Sequence, residues 1–318
     1  MNKEFKNLDE QIAIMERKGM LINDKELAKE ILLRENYFFL NGYRHLFLKS
    51  EIDKKFIPGT TFEELYSLFL FDRQFRNIIF KNLLVIENNI KSIISYQLSQ
   101  KYGYKESEYL KAKNFTLDKD KTRQVQDLIK KMKRQVRINA PQHTATSHYV
   151  SNYGYIPLWI LVKVLSFGIV GELYAILKRD DQEKIAGIYH LDVETLITYL
   201  PILSNYRNLC AHEDIVFEHR TQKSIDDTTY HQLLGIEKMD DEYIYGKNDL
   251  FALIIMMRQM LKDNEFKDMT LEIQHAIDNL KYNVKTIPIE KILDKMGFPE
   301  NWNQLANITR RIELWEEN

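Results

Sequence analysis

Residues 61–100 read TFEELYSLFLFDRQFRNIIFKNLLVIENNIKSIISYQLSQ, and this stretch decides the fold. Thr61 and Glu64 stand at capping-box spacing, where hydroxyl and carboxylate satisfy each other's backbone N–H groups at a helix start. Apolar side chains then recur at Leu65, Leu68, Phe69, Ile79, Leu83, Ile86, Ile90 and Ile94, the rhythm of a helix face turned to a core. Such a helix runs roughly 60 Å at about 1.5 Å per residue, so a bend or break is expected along it.

On the N-terminal side, Leu46 to Phe56 alternates loosely and reads as extended, before Pro58-Gly59 breaks the chain. The first forty residues read as two amphipathic helices. Leu8, Ile12 and Met15 mark the first, and Asn23-Asp24 caps a second that runs through Leu33. On the C-terminal side, residues 139–152 are polar and loop-like. The apolar run from Ile156 to Leu177 is interrupted by Lys163 and Glu172, which makes it a buried core helix rather than a membrane span. Asp192 caps a helix leading into Tyr206–His212. A polar insert at about 218–248, helices at 249–262 and 270–285 and a short C-terminal unit complete the chain.

The expected fold is therefore all-α. It comprises an N-terminal helical extension (1–58), a helical core (59–220) carrying a basic insert (101–150), and a C-terminal helical region (221–318) packed on that core. The composition agrees, with 44% hydrophobic and 29% charged residues and only eleven Gly and six Pro in 318 residues. The N-terminus, MNKEFKNLDEQ, lacks the apolar segment of a secretory signal, and one cysteine excludes an internal disulfide framework. Both point to the cytoplasm.

Net charge is −1, so affinity for nucleic acid must be local. Between 101 and 137 there are twelve Lys or Arg against five acids. The segment ends in Lys130, Lys131, Lys133, Arg134 and Arg137 with no acid among them. This run reads either as a solvated helix face or as a track for an RNA backbone, with Tyr102, Tyr104, Tyr109 and Phe115 available to stack on unpaired bases.

No phosphate-binding glycine loop, HExxH, GxSxG or calcium loop occurs. His45, His143, His148, His190, His231 and His275 lack metal-ligand spacing, so no metal and no cofactor are expected. Arg207-Asn208-Leu209-Cys210-Ala211-His212 stands out. Cleaving RNA by attack of its own 2′-OH needs a general base, a general acid and a cation for the phosphoryl oxygens. Histidine titrates near neutrality, arginine offers a planar fork of donors, and asparagine can orient either group. On a straight helix Arg207 and His212 point about 140° apart, whereas Asn208 and His212 share a face. They converge only if the helix ends near His212 or if two copies pair symmetrically. Spacing alone equally suits a helix-end ion pair or cap. Cys210 has no base partner and reads as a small buried hydrophobe. Trp159, Phe167 and Gly168 read as core packing and close helix approach. Arg76 and Glu87, eleven residues apart on one face of the long helix, read as lining the same groove or as a salt-bridge ladder with Asp72 and Lys91; Arg73, like Asp72, reads as structural pairing.

The sequence resembles the bacterial abortive-infection proteins of the AbiD/AbiF type, assigned to the HEPN superfamily. The resemblance is carried by Lys18-Gly19-Met20, Asn36-Tyr37, Asn41-Gly42-Tyr43-Arg44, Phe71-Asp72-Arg73-Gln74-Phe75-Arg76 and Ile86-Glu87. It continues through Pro157-Leu158-Trp159, Ser166-Phe167-Gly168, Arg207 to His212 and Gly297 to Trp302. It implies a HEPN-type helical bundle, phage defence and a metal-independent endoribonuclease. Arg207, Asn208 and His212 would be catalytic and Arg76 and Glu87 RNA-binding, with activity in a homodimer. It also implies RNA as partner, both as substrate and as a small regulatory RNA. The alternative is a non-catalytic module that holds such an RNA. One departure stands beside the motif, since relatives often follow it with another His and an Arg-Leu-Trp-Asn-like stretch, where this chain has Glu213 to His219.

Overall fold

The computed structural model describes residues 4–50 and 52–308; residues 1–3 of the N-terminal reading, residue 51 and residues 309–318 of the C-terminal region lie outside the described residues. The fold is all-α. In chain order the helices are α1 (Leu8–Arg17), α2 (Lys25–Glu35), α3 (Tyr37–Asn41), α4 (Phe62–Tyr102) and α5 (Glu106–Tyr109). There follow α6 (Thr122–Asn139), α7 (Thr144–Tyr153), α8 (Leu158–Val164), α9 (Phe167–Ala175), α10 (Arg179–Gly187) and α11 (Val193–Ala211). The last are α12 (Thr229–Leu233), α13 (Leu250–Met260), α14 (Asp263–Asn283) and α15 (Ile289–Met296). Strands β1 (Lys238–Met239) and β2 (Glu242–Tyr243) form an antiparallel pair with Lys238 opposite Tyr243.

Helix α4 is the axis, and its 41 residues run without the expected break. Its start carries the anticipated box: the Glu64 N–H donates to Thr61 Oγ1 at 3.2 Å and the Thr61 N–H to Glu64 Oε2 at 3.1 Å. Glu64 also accepts from the backbone N–H groups of Lys285 and Thr286 at 2.6 and 2.7 Å, tying the segment after α14 to the axis. Leu65, Leu68, Ile79, Leu83, Ile86, Ile90 and Ile94 are all buried, because α14, α11 and α8 pack along α4. One hydrophobic core extends from Ile12 to Leu305. No helix among the described residues is long and apolar enough to cross a membrane.

Several elements differ from expectation. The polar stretch 139–152 forms α7, opened by His143 as its cap. The apolar run 156–177 forms two helices, with Leu165 extended and the Ser166 hydroxyl capping α9 by accepting from the Ile169 N–H at 3.4 Å. Helix α14 starts at Asp263 rather than at 270, and α10 stands where no helix was read. The insert 218–248 is anchored rather than merely polar, burying Ile225, Tyr230, His231 and Ile236. Between Leu46 and Phe56 a 3-10 turn (Arg44–Phe47) precedes a single antiparallel bridge, Leu48 to Phe56.

Candidate functional site

The site grows from the C-terminal end of α11. Asp192 caps the helix start, accepting from the Thr195 N–H at 2.8 Å, and Pro201 is accommodated inside the helix. Helix α9 lies close against it because Gly171 and Gly168 carry no side chain. A Cβ there would stand 3.4 Å from Leu200 and 3.4 Å from Ser204 Oγ. Helical geometry ends at Ala211, and His212 is the C-cap. The Asp214 N–H donates to the Leu209 carbonyl at 3.1 Å and the Glu213 N–H to the Cys210 carbonyl at 3.4 Å. This is a Schellman closure, in which the residue after the cap turns left-handed. That residue is Glu213, with φ +57°.

The tail beyond His212 is held by one buried carboxylate. Asp72 on α4 accepts from the backbone N–H groups of Val216 and Phe217 at 3.3 and 2.8 Å and from the Tyr43 hydroxyl at 2.7 Å. Arg76 lies 2.5 Å from Asp72 and donates onward to the Asp214 carbonyl at 3.3 Å. Burial pushes the Asp72 carboxyl above its ordinary range, against the pull of Arg76 and these donors. Gly42 completes the seat. A Cβ there would meet Ile215 Cδ1 at 2.7 Å and the Phe39 carbonyl oxygen at 3.1 Å, so the end of the Ile215 side chain would have to shift to admit one.

Arg207 is braced on α4. Its Nε donates to Glu87 Oε2 at 3.2 Å, its guanidinium lies 5.6 Å from the centre of the Phe80 ring, and Lys91 Nζ holds the other Glu87 oxygen at 2.6 Å. Arg207 is partly exposed, and Asn208 and His212 are exposed. Among the described residues, neither the Asn208 amide nor the His212 imidazole has a hydrogen-bond partner within the chain. Cys210 points inward, and burial pushes its thiol up to about 12, which leaves it an unreactive hydrophobe.

A cavity of about 850 Å³ opens beside His212 between α2, α3, α4 and the tail of α11. Its lining includes His212, Glu213, Asp214, Arg73, Arg44 and Phe38, but neither Arg207 nor Asn208. The fold therefore places the three motif residues at one helix end without gathering them in one cavity of a single chain.

The other expected RNA contacts divide. Arg76 and Glu87 are buried and form the alternative ladder with Asp72 and Lys91; Arg76 also reaches the wall of the cavity beside His212, whereas Glu87 holds Arg207. Arg73 pairs with Glu35 at 2.6 Å. Lys130, Lys131, Lys133, Arg134 and Arg137 are all exposed on α6, whose Val125, Leu128 and Met132 face the core. Lys131 is paired with Glu172 at 2.7 Å. Tyr109 and Phe115 are buried, and the Tyr102 hydroxyl is bound to Asp181, so these three do not present free faces to a base. Tyr104 does, within an unforeseen chain of rings. Tyr149, Tyr153, Tyr155, Tyr104 and Trp159 follow one another with centroids 5.3 to 6.1 Å apart, and Lys105 lies over Tyr155. Trp159 is thus 43% exposed rather than core, while Phe167 is buried as expected. The sequence signal for this strip was the density of Tyr between 149 and 155, hidden by the loop reading of that stretch.

Comparison with curated proteins found no match, and neither did comparison with solved structures. Residues 30–218, from the cavity-lining α2 through α4 to the tail seated on Asp72, match the family model described as Abi-like protein. The chain belongs to that family, which supports a part in abortive infection, a defence against phage.

Proposed function

We propose that this Abi-like protein is a HEPN-type RNA-binding protein that acts in the cytoplasm as a metal-independent endoribonuclease, with Arg207, Asn208 and His212 at its centre. The observation that carries this reading is the open end of α11. An exposed imidazole and amide without partners in the chain stand beside a guanidinium pre-aimed by a buried carboxylate. Both groups are open to solvent and so within reach of a ligand. His212 would take the 2′-OH proton as the 2′-oxygen attacks phosphorus and the bond to the 5′-oxygen breaks. The imidazolium so formed would return a proton to the departing 5′-oxygen, leaving a 2′,3′-cyclic phosphate and a 5′-OH. Arg207 would stabilise charge on the phosphoryl oxygens and Asn208 would position the phosphate. The separation of Arg207 from the His212 cavity in one chain favours a homodimer that pools two copies of the motif. The exposed cations of α6 would hold the RNA backbone.

The same separation supports a second reading, in which the segment binds the phosphates of a small regulatory RNA without cutting it. Purified wild type and His212→Ala, incubated with total RNA in EDTA, separate the two. Discrete new 5′-OH ends from wild type alone are expected. Intact RNA with both proteins would leave the binding module as the function.

A further inference from the structure

The cavity beside His212 has walls that packing does not account for. Helix α3 buries Leu40 yet leaves Phe38 and Phe39 74% and 58% exposed, their rings 6.1 Å apart at 67°. Adjacent phenylalanines held open on a concave wall mark a surface kept for a ligand. The volume of about 850 Å³ falls in the range of small-molecule sites.

The charges around it are sorted. Arg34, Arg73 and Arg76 are taken by Glu30, Glu35 and Asp72. Arg44, also in the wall, has no hydrogen-bond or ion-pair partner among the described residues. Behind it stand Lys18 and Lys54, likewise without ion pairs among the described residues. Burial, Arg44 and Lys54 together hold the Lys18 ammonium below its ordinary range. The Phe56 N–H donates to the Lys18 carbonyl at 2.9 Å, which ties residue 18 to the segment that follows Lys54. On the His212 side, by contrast, the wall carries Glu213 and Asp214, whose carboxylates can accept from the amino edge of a base.

We propose that this cavity takes an unpaired nucleobase of single-stranded RNA, stacked on Phe38 or Phe39, with the adjoining phosphate on Arg44 and the strand continuing over Lys18 and Lys54. The proposal rests on the reading of His212 as an RNA-cleaving residue and gives that site its means of selecting the nucleotide beside the cut. Aromatic stacking tolerates any base, while the carboxylates favour bases that carry amino groups. The rival occupant is the same face of a second copy, with Phe38 and Phe39 as an apolar contact.

The test uses full-length His212→Ala protein, which separates binding from cutting, and a short fluorescein-labelled single-stranded RNA of mixed sequence read by fluorescence anisotropy. Adding Phe38→Ala and Phe39→Ala should weaken binding by about tenfold. Arg44→Gln should lower the salt dependence by about one phosphate contact. A 2-aminopurine base in the probe should be quenched on binding to the parent and not to the phenylalanine variant. Circular dichroism and sedimentation of each variant complete the set. Unchanged affinity in a folded phenylalanine variant would overturn the proposal, and so would a variant that loses only self-association. If wild type cuts no RNA, the ribonuclease reading fails while the anisotropy still decides the pocket. If wild type cuts and the anisotropy is unmoved, the pocket fails alone.

Discussion

Glu213 adopts φ +57° in the position after a helix cap that glycine usually fills. A side chain in the left-handed region costs roughly 1–2 kcal/mol, and its contact with Arg73, 3.7 Å away in water, returns little of it. Glu213→Gly should therefore raise stability by about 0.5–1 kcal/mol, read as a higher urea midpoint at unchanged slope. Asp72 works in the opposite sense. It is fully buried and joins Tyr43, Arg76 and the tail 214–217. Asp72→Asn strands the Arg76 charge and should cost about 3 kcal/mol. It also frees the segment that seats His212, so cutting should fall further than the folded fraction does; equal losses would show that the network serves stability alone. Arg207, Asn208 and His212 were legible as a candidate site because they are residue types at short spacing. Of the Asp72 network only the pairing with Arg76, four residues away, was legible; Tyr43, Val216 and Phe217 lie 29, 144 and 145 residues away and only the fold brings them in.

Among elements, α4 was legible from its capping box and apolar repeat. Both are local signals, and packing on several sides lets so long a helix stay unbroken. The division of 156–177 was not legible, since Leu165 and Ser166 carry no strong breaker and the turn is set by α9 seating its glycines on α11. Helix α13 was legible at 249–262, and its cap is also a pH-sensitive joint. Asp249 accepts from the Ala252 N–H at 2.9 Å and from the Gly246 N–H, and Gly297 passes so close that a Cβ would collide with its carboxyl. Burial pushes this carboxyl from its ordinary value of 3.8 up to about 6. The folded state therefore holds a proton that the unfolded chain has already lost between those two values. From this group stability is greatest below about pH 4, falls as pH rises towards 6, and levels off above it. The full difference is about 3 kcal/mol. Asp249→Asn keeps an acceptor for the cap and cannot ionise. Urea unfolding of the variant from pH 4 to pH 7 should lack that decline, and a decline equal to wild type would assign it to other groups.

At the scale of the whole molecule, the proposed ribonuclease raises the question of how Arg207 and His212 at one helix end would serve one phosphate. In one chain, His212 opens into the cavity between α3 and α4 whereas Arg207 is drawn to Glu87 on the other side of the turn. Their divergence on a helix was calculable from spacing. How the tail would resolve it was not, because the bonds of Asp72 to the Val216 and Phe217 N–H groups hold the chain after the cap. Symmetric pairing offers a solution, since each copy then brings an arginine and a histidine to a shared cleft. Arg207→Ala and His212→Ala proteins should each be inactive alone. Co-expressed with different tags and purified through both, the two proteins would, as the proposed dimer, yield mixed species that still hold one intact arginine and one intact histidine. Cutting by this mixed species well above either parent is expected. If the motif works within one chain, every chain in the mixed dimer is defective and no cutting returns. Sedimentation of the doubly tagged species guards the result, because recovery without a dimer would have no source in a shared cleft.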